Sequence, residues 1–184
     1  MKKLSNIWMF LTIIAMSFSQ IADAKSKLSN TTANEVKWTT FDKVLAEAKA
    51  GNKKFILVDL YTDWCGWCKK MDENVFNDAA ISAAINNDFA AVKFNAETAE
   101  PVVFNGKTYT FTADGKRGAN QLAMDLGKVG NKLGYPTIVV LDANGNKLQS
   151  FPGYKDVQTM SVILKYFQTE SYKKMDFQQF QSGQ

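Results

Sequence analysis

Trp64-Cys65-Gly66-Trp67-Cys68-Lys69 holds both cysteines of the 184-residue chain, with two residues between them. The run before it, Phe55-Ile56-Leu57-Val58-Asp59-Leu60-Tyr61, has the length and apolar character of a buried strand. The run after it, Lys69-Lys70-Met71-Asp72-Glu73-Asn74-Val75-Phe76, reads as a helix. A C-x-x-C at a strand-to-helix junction is an arrangement for thiol–disulfide exchange. Unpaired N–H groups and the helix dipole favour an anion at the helix start, so Cys65 is the candidate nucleophile. Lys69 and Lys70 add positive charge nearby, and Cys68, one turn on, is the candidate resolving thiol. The competing readings of the pair are an inert disulfide and half of a metal site.

Composition narrows these choices. The chain has no histidine, which excludes a His-based triad, an imidazole metal site and a c-type haem site. Two cysteines fall short of a structural zinc site, so no metal and no organic cofactor is expected. A disulfide closing so short a loop restrains the unfolded chain little, which makes the pair poor scaffolding.

The first residues read as a targeting segment. Lys2 and Lys3 precede an apolar stretch, residues 7–16, that is short for a membrane span. Ala22-Asp23-Ala24 supplies small residues for signal-peptidase cleavage after Ala24, and an uncleaved anchor is the alternative. Removing residues 1–24 leaves 160 residues with a net charge of +3, mild and distributed, which argues against a nucleic-acid partner. The mature chain is expected to be periplasmic or secreted.

Along the rest of the chain, residues 25–37 are a polar, flexible lead-in, and Trp38 is placed to dock on the domain. Thr40 is a helix cap before residues 41–50, where Phe41, Val44, Leu45 and Ala48 share a face and Gly51 marks the stop. Asn77 or Asp78 caps a second helix over residues 79–86, and residues 89–95 read as a strand. This alternation predicts an α/β sheet with parallel neighbours. Residues 97–128 read as an insertion. It opens with a β-hairpin turning at Asn105-Gly106, continues as a basic, turn-rich link over residues 114–118, and ends in a helix over residues 119–126. A strand follows Pro136, then a turn at residues 142–145, an antiparallel strand over 147–151 and a final amphipathic helix with Val157, Met160, Ile163, Leu164 and Phe167. Residues 171–184 form a tail that either packs back or frays.

Seven further residues draw notice. Asp59 interrupts an apolar strand six residues before Cys65. A carboxyl held there away from water would have a raised pKa and could exchange a proton with Cys68; the alternatives are a strand-end Asp in water or one paired with a lysine. Pro136 in cis would set a backbone edge against the sulfurs for an incoming peptide, although pattern alone predicts trans. Tyr61, Trp64 and Trp67 are candidates for an apolar apron, with Trp64 expected to pack on the core and only Trp67 exposed. Lys116-Arg117 reads as a solvated turn.

Residues 58–71, together with Gly134-Tyr135-Pro136-Thr137 and Phe151-Pro152-Gly153-Tyr154, resemble the active-site segment, the cis-proline loop and the last strand of the thioredoxin-like superfamily. The resemblance runs over roughly residues 40–167 and extends to the C-terminal thioredoxin-like domain of the membrane disulfide reductase DsbD and to secreted single-domain relatives. It implies a thioredoxin fold, a central mixed β-sheet flanked by helices, with a β-hairpin/helix insertion. It implies a Cys65–Cys68 disulfide with Cys65 as nucleophile and Cys68 as resolving thiol, Asp59 as buried acid and Pro136 in cis, with Trp64, Gly66, Trp67 and Tyr135 around bound substrate. Thioredoxin has proline where this chain has Trp67, and the insertion is foreign to the minimal fold.

The expected function is an extracytoplasmic thiol–disulfide oxidoreductase that reduces disulfides of exported proteins, with a membrane-bound thiol reductase as electron donor. The alternatives are an oxidant or isomerase, which the lack of His between the cysteines disfavours, and a non-enzymatic binding module.

Overall fold

The computed structural model describes residues 35–115 and 117–184. The apolar segment at residues 7–16, the cleavage site after Ala24 and most of the polar lead-in lie outside the described residues. Five strands form the central sheet: β1 (Trp38–Thr39), β2 (Phe55–Tyr61), β3 (Phe89–Asn95), β8 (Thr137–Asp142) and β9 (Lys147–Pro152), in the order β1-β3-β2-β8-β9. β1 and β2 run parallel to β3, whereas β8 runs antiparallel to β2 and β9 antiparallel to β8. The sheet is therefore mixed, and β2, which leads to the cysteines, lies at its centre.

Side-chain alternation along β2 builds two cores. Phe55 and Leu57 face one layer, and Ile56, Val58 and Leu60 face the other. On the first face lie α2 (Gly66–Met71), a π-helical turn that continues it (Asp72–Phe76), α3 (Ala79–Asp88) and α5 (Val157–Gln168), contributing Met71, Phe76, Ile85, Met160 and Phe167. On the second lie α1 (Phe41–Ala50) and α4 (Gln121–Gly127), contributing Phe41, Val44, Leu122 and Leu126. The tail packs on the first face: α6 (Phe177–Ser182) buries Phe180, and the Tyr166 hydroxyl donates to the Met175 carbonyl at 2.6 Å. At the other end Asn86 ties down the chain entry, accepting from the Lys37 N–H and donating to the Glu35 carbonyl, both at 2.8 Å.

Local signals act as expected in most places. Asp78 caps α3 by accepting from the Ala80 and Ile81 N–H groups. Thr40 occupies the cap position of α1 but makes no side-chain capping bond. Asn105 and Gly106 both adopt positive φ, 51° and 76°, turning the hairpin of β4 (Val102–Phe104) and β5 (Lys107–Tyr109).

The insertion differs from the sequence reading after this hairpin. The basic link is part of a second hairpin, β6 (Phe111–Asp114) with β7 (Arg117–Asn120), and α4 starts only at Gln121, capped by the buried Asn120 side chain. The strands are short and lack an alternating apolar pattern, so their pairing is invisible to periodicity. The hairpin is pinned to the sheet by the Asn120 N–H, which donates to the Ala96 carbonyl at 2.8 Å, just as the Ala96 N–H donates to the Tyr61 carbonyl at 2.8 Å.

Gly118 is the tight point. A Cβ there would press into the Phe111 ring and the Thr112 carbonyl oxygen and lie 2.9 Å from the Ala113 Cα. Backbone atoms cannot step aside as a flexible side chain can. Gly118→Ala is expected to destabilise the chain by about 1–3 kcal/mol, the usual cost of overpacking, and thermal unfolding would report it as a lowered Tm.

Candidate active site

Cys65 closes the turn from β2 into α2. Its N–H donates to the Thr62 carbonyl at 3.1 Å, and it caps α2 through its sulfur, which accepts from the Cys68 N–H at 3.1 Å. The two cysteines are joined as a disulfide with their Cα atoms 5.3 Å apart. The hydrogen bond places a helix-start donor on the sulfur that would carry negative charge after reduction. Cys65 is 4% exposed and Cys68 3%. Lys69 and Lys70 are exposed, and the Lys70 ammonium lies 4.7 Å over the Trp67 ring.

The Tyr135–Pro136 peptide bond is cis, where the sequence pattern alone predicts trans, and Pro136 is buried. The loop is braced on both sides: the Thr137 hydroxyl donates to the Gly134 carbonyl at 2.7 Å, and the Gly153 N–H donates to the Pro136 carbonyl at 2.8 Å.

Trp64 corrects the sequence reading. Its side chain does not pack on the core; the residue is 52% exposed, close to the 57% of Trp67. It is held at the surface by three partners. Its indole N–H donates to Glu97 Oε2 at 2.9 Å, its ring meets Tyr135 edge-on at 6.0 Å, and the Arg117 guanidinium lies 4.2 Å over its face. Trp67 leans on Tyr154 at 5.4 Å. Gly66 is exposed, with open space where a Cβ would stand. Tyr61 is partly buried and packs against Lys93.

Asp59 is buried, at 1% exposure, on the sheet face that the cysteine helix covers. The parallel register of β2 and β3 sets it opposite Lys93, whose ammonium stands 3.4 Å from Asp59 Oδ2 and bonds more closely to Asp72 on the π-helical turn. Asp59 Oδ1 has no hydrogen-bond partner among the described residues. Desolvation pushes its carboxyl up to about 7 against the pull of Lys93, and the Asp72 charge adds to the rise. Of the alternatives open for Asp59, a strand-end position in water is excluded. Burial and pairing with a lysine hold together.

The sequence reading did not single out Lys93, Asp72, Glu97 or Arg117 as partners in this site. For Lys93 a signal existed: it interrupts an apolar strand as Asp59 does, and two charges in adjacent buried strands call for one another.

The thioredoxin-like domain family matches residues 41–168. The chain belongs to that family. Two curated relatives are the thiol:disulfide interchange proteins DsbD of Cronobacter sakazakii, 30% identical over 125 residues, and of Citrobacter koseri, 29% identical over 133 residues. The matches take in 67% and 69% of this chain but only 18% and 19% of those proteins, so the chain spans less than a fifth of the length of these relatives. Among solved structures, a thioredoxin-fold protein from Helicobacter pylori superposes with a TM-score of 0.53 at 18% identity, covering 72% of this chain and 80% of that one. A thioredoxin from Thermus thermophilus does so with a TM-score of 0.53 at 17% identity, covering 74% and 89%. The fold is thus the thioredoxin fold, with its Cys-x-x-Cys pair at the start of the helix after the central strand.

Proposed function

We propose that this thioredoxin-like chain is an extracytoplasmic thiol–disulfide oxidoreductase that reduces disulfides of exported proteins. The observation that carries the reading is the Cys65 sulfur at the start of α2, accepting from the Cys68 N–H, with a buried carboxyl of pKa about 7 on the sheet face beneath the same helix. A thiolate at Cys65 is stabilised by that donor and the helix start, and it is the nucleophilic form of the sulfur.

The cycle balances as a two-electron exchange. A dithiol donor first reduces the Cys65–Cys68 disulfide. The Cys65 thiolate attacks one sulfur of a substrate disulfide and forms a mixed disulfide, releasing the substrate's other sulfur as a thiolate that takes a proton. The Cys68 thiol gives up its proton, with the Asp59 carboxylate as the base, and attacks the Cys65 sulfur. The second substrate thiol leaves and the protein disulfide reforms. A carboxyl that titrates near neutral pH suits that proton transfer.

Lys2 and Lys3, the apolar residues 7–16 and Ala22-Asp23-Ala24 support export with cleavage after Ala24. In an oxidising compartment the dithiol must be regenerated by an outside electron donor, and a membrane-bound thiol reductase is the donor this reading requires.

Equilibrating the pair with defined dithiol/disulfide buffers tests the direction. A reduction potential in thioredoxin's range, about −270 mV, together with catalysis of insulin reduction, is the expected result. A potential near about −120 mV with rapid oxidation of a reduced peptide would make the chain an oxidant instead. N-terminal sequencing of protein from a fractionated host checks the compartment: a mature chain starting at Lys25 outside the cytoplasm is expected, and an intact chain retained in the cytoplasm would refute export.

A further inference from the structure

The insertion walls a groove of about 630 Å³ that reaches Trp64, the residue before Cys65. Trp64 and Tyr135, which adjoin Cys65 and Pro136 in sequence, form one side, and Met124 and Leu133 add apolar surface. The β6–β7 hairpin supplies the opposite wall, with Arg117 on the lining and Lys128 beyond α4.

Arg117 is the informative residue. Its guanidinium stacks over Trp64 at 4.2 Å. Stacking occupies the face of the planar group and leaves the N–H donors on its edge available in a fork that matches a carboxylate. Among the described residues no acceptor takes a hydrogen bond from the Arg117 guanidinium, and no carboxylate lies within ion-pair distance of it or of the Lys128 ammonium. Two carboxylates also line the groove. Glu97 is engaged by the Trp64 indole N–H at 2.9 Å, and Asp114 pairs with Arg117 in backbone register without forming an ion pair with it. Burial and the Glu97 charge push the Tyr135 phenol up to about 12, so it stays a neutral donor at any working pH.

On the redox reading above, the polypeptide flanking the attacked cysteine runs past Trp64 and Tyr135, as the family resemblance implies, and so along this groove. Resting on that reading, we propose that Arg117 makes the chain select substrates with a carboxylate side chain next to that cysteine. The apolar wall takes the neighbouring side chain, and the stacked guanidinium takes the acid. Asp114 and Glu97, whose charge the neutral indole does not cancel, both oppose the acid, which keeps the preference moderate.

The test uses the full oxidised protein and two synthetic peptides of one sequence. Both carry serine in place of the cysteine, and they differ only in Glu or Gln beside it. Fluorescence anisotropy of the labelled peptides should show the Glu peptide binding roughly three- to tenfold more tightly at low salt, the scale of a partly exposed charge-assisted pair. Arg117→Gln should bring the ratio close to one, Arg117→Glu should invert it, and added salt should erode it. Equal binding of the two peptides, a ratio that survives in Arg117→Gln, or no saturable binding of either would overturn the proposal. Disulfide-linked versions of the two peptides, with the cysteine restored, separate the two readings. A protein that keeps the binding ratio but reduces neither peptide retains the groove and loses the redox function. One that reduces both with equal kcat/KM retains the redox function and loses the groove.

Discussion

Cys65→Ser is expected to bring insulin reduction down to the uncatalysed rate, a loss on the order of 10³-fold or more. Serine keeps the size and the capping geometry of the side chain, so its sulfur's hydrogen bond from the Cys68 N–H has a steric counterpart. The hydroxyl cannot ionise at neutral pH, and neither attack on a disulfide nor a mixed disulfide is then possible. Cys68→Ser should behave differently. The first attack survives, the resolving step does not, and substrate accumulates covalently attached to Cys65. The two variants together assign the sulfurs. Turnover in Cys65→Ser, or mixed disulfides trapped on Cys68, would reverse the roles. Neither substitution should cost much stability, because the disulfide closes too short a loop to restrain the unfolded chain.

Asp59→Asn is expected to act on both stability and rate, and the pH dependence distinguishes the two. In the folded chain the carboxyl titrates near 7, against 3.8 for an ordinary aspartate. The folded state therefore holds a proton through the window between those values, where the unfolded state has lost it. Stability falls as pH rises through that window, and above it the buried charge is a standing penalty. The gap between 3.8 and about 7 corresponds to a ceiling of about 4 kcal/mol. Asn carries no charge, so the variant should gain stability over the parent at pH 8 and match it near pH 4. Urea unfolding at several pH values would measure this, and an equal effect at both ends would show that Asp59 does not titrate in this window. The same variant should slow reduction by about 10²-fold near neutral pH through loss of the base for Cys68. It should also flatten the pH–rate profile between pH 6 and 8.

How much of this site was readable in advance differs from residue to residue. The strand before the cysteines and the helix after them follow from local pattern, because seven consecutive mostly apolar residues and a helical spacing each carry their own period. The Asn105-Gly106 turn follows from the freedom of those two residues to adopt positive φ. The second hairpin did not follow, since strands as short as Arg117–Asn120 acquire their pairing from what they pack against. The exposure of Trp64 did not follow either. A tryptophan beside a buried strand is normally core, and it is outside here because Glu97, Tyr135 and Arg117, all distant in sequence, hold it at the rim.

The sequence by itself determined the composition of the redox pair, its place between strand and helix, the absence of histidine chemistry and the order along the chain of the main strands and helices outside the second hairpin. These depend on residue type and on spacing along the chain, which are local quantities. Only the tertiary structure decided the cis bond at Pro136, the environment of Asp59 and the groove walled by Arg117. Asp59 meets Lys93 because β2 and β3 pair in one register, and Lys93 bonds to Asp72 because α2 runs on into a π-helical turn over that strand. Electrostatics and burial depend on distances in space, and 33 residues of chain lie between Asp59 and the lysine beside it.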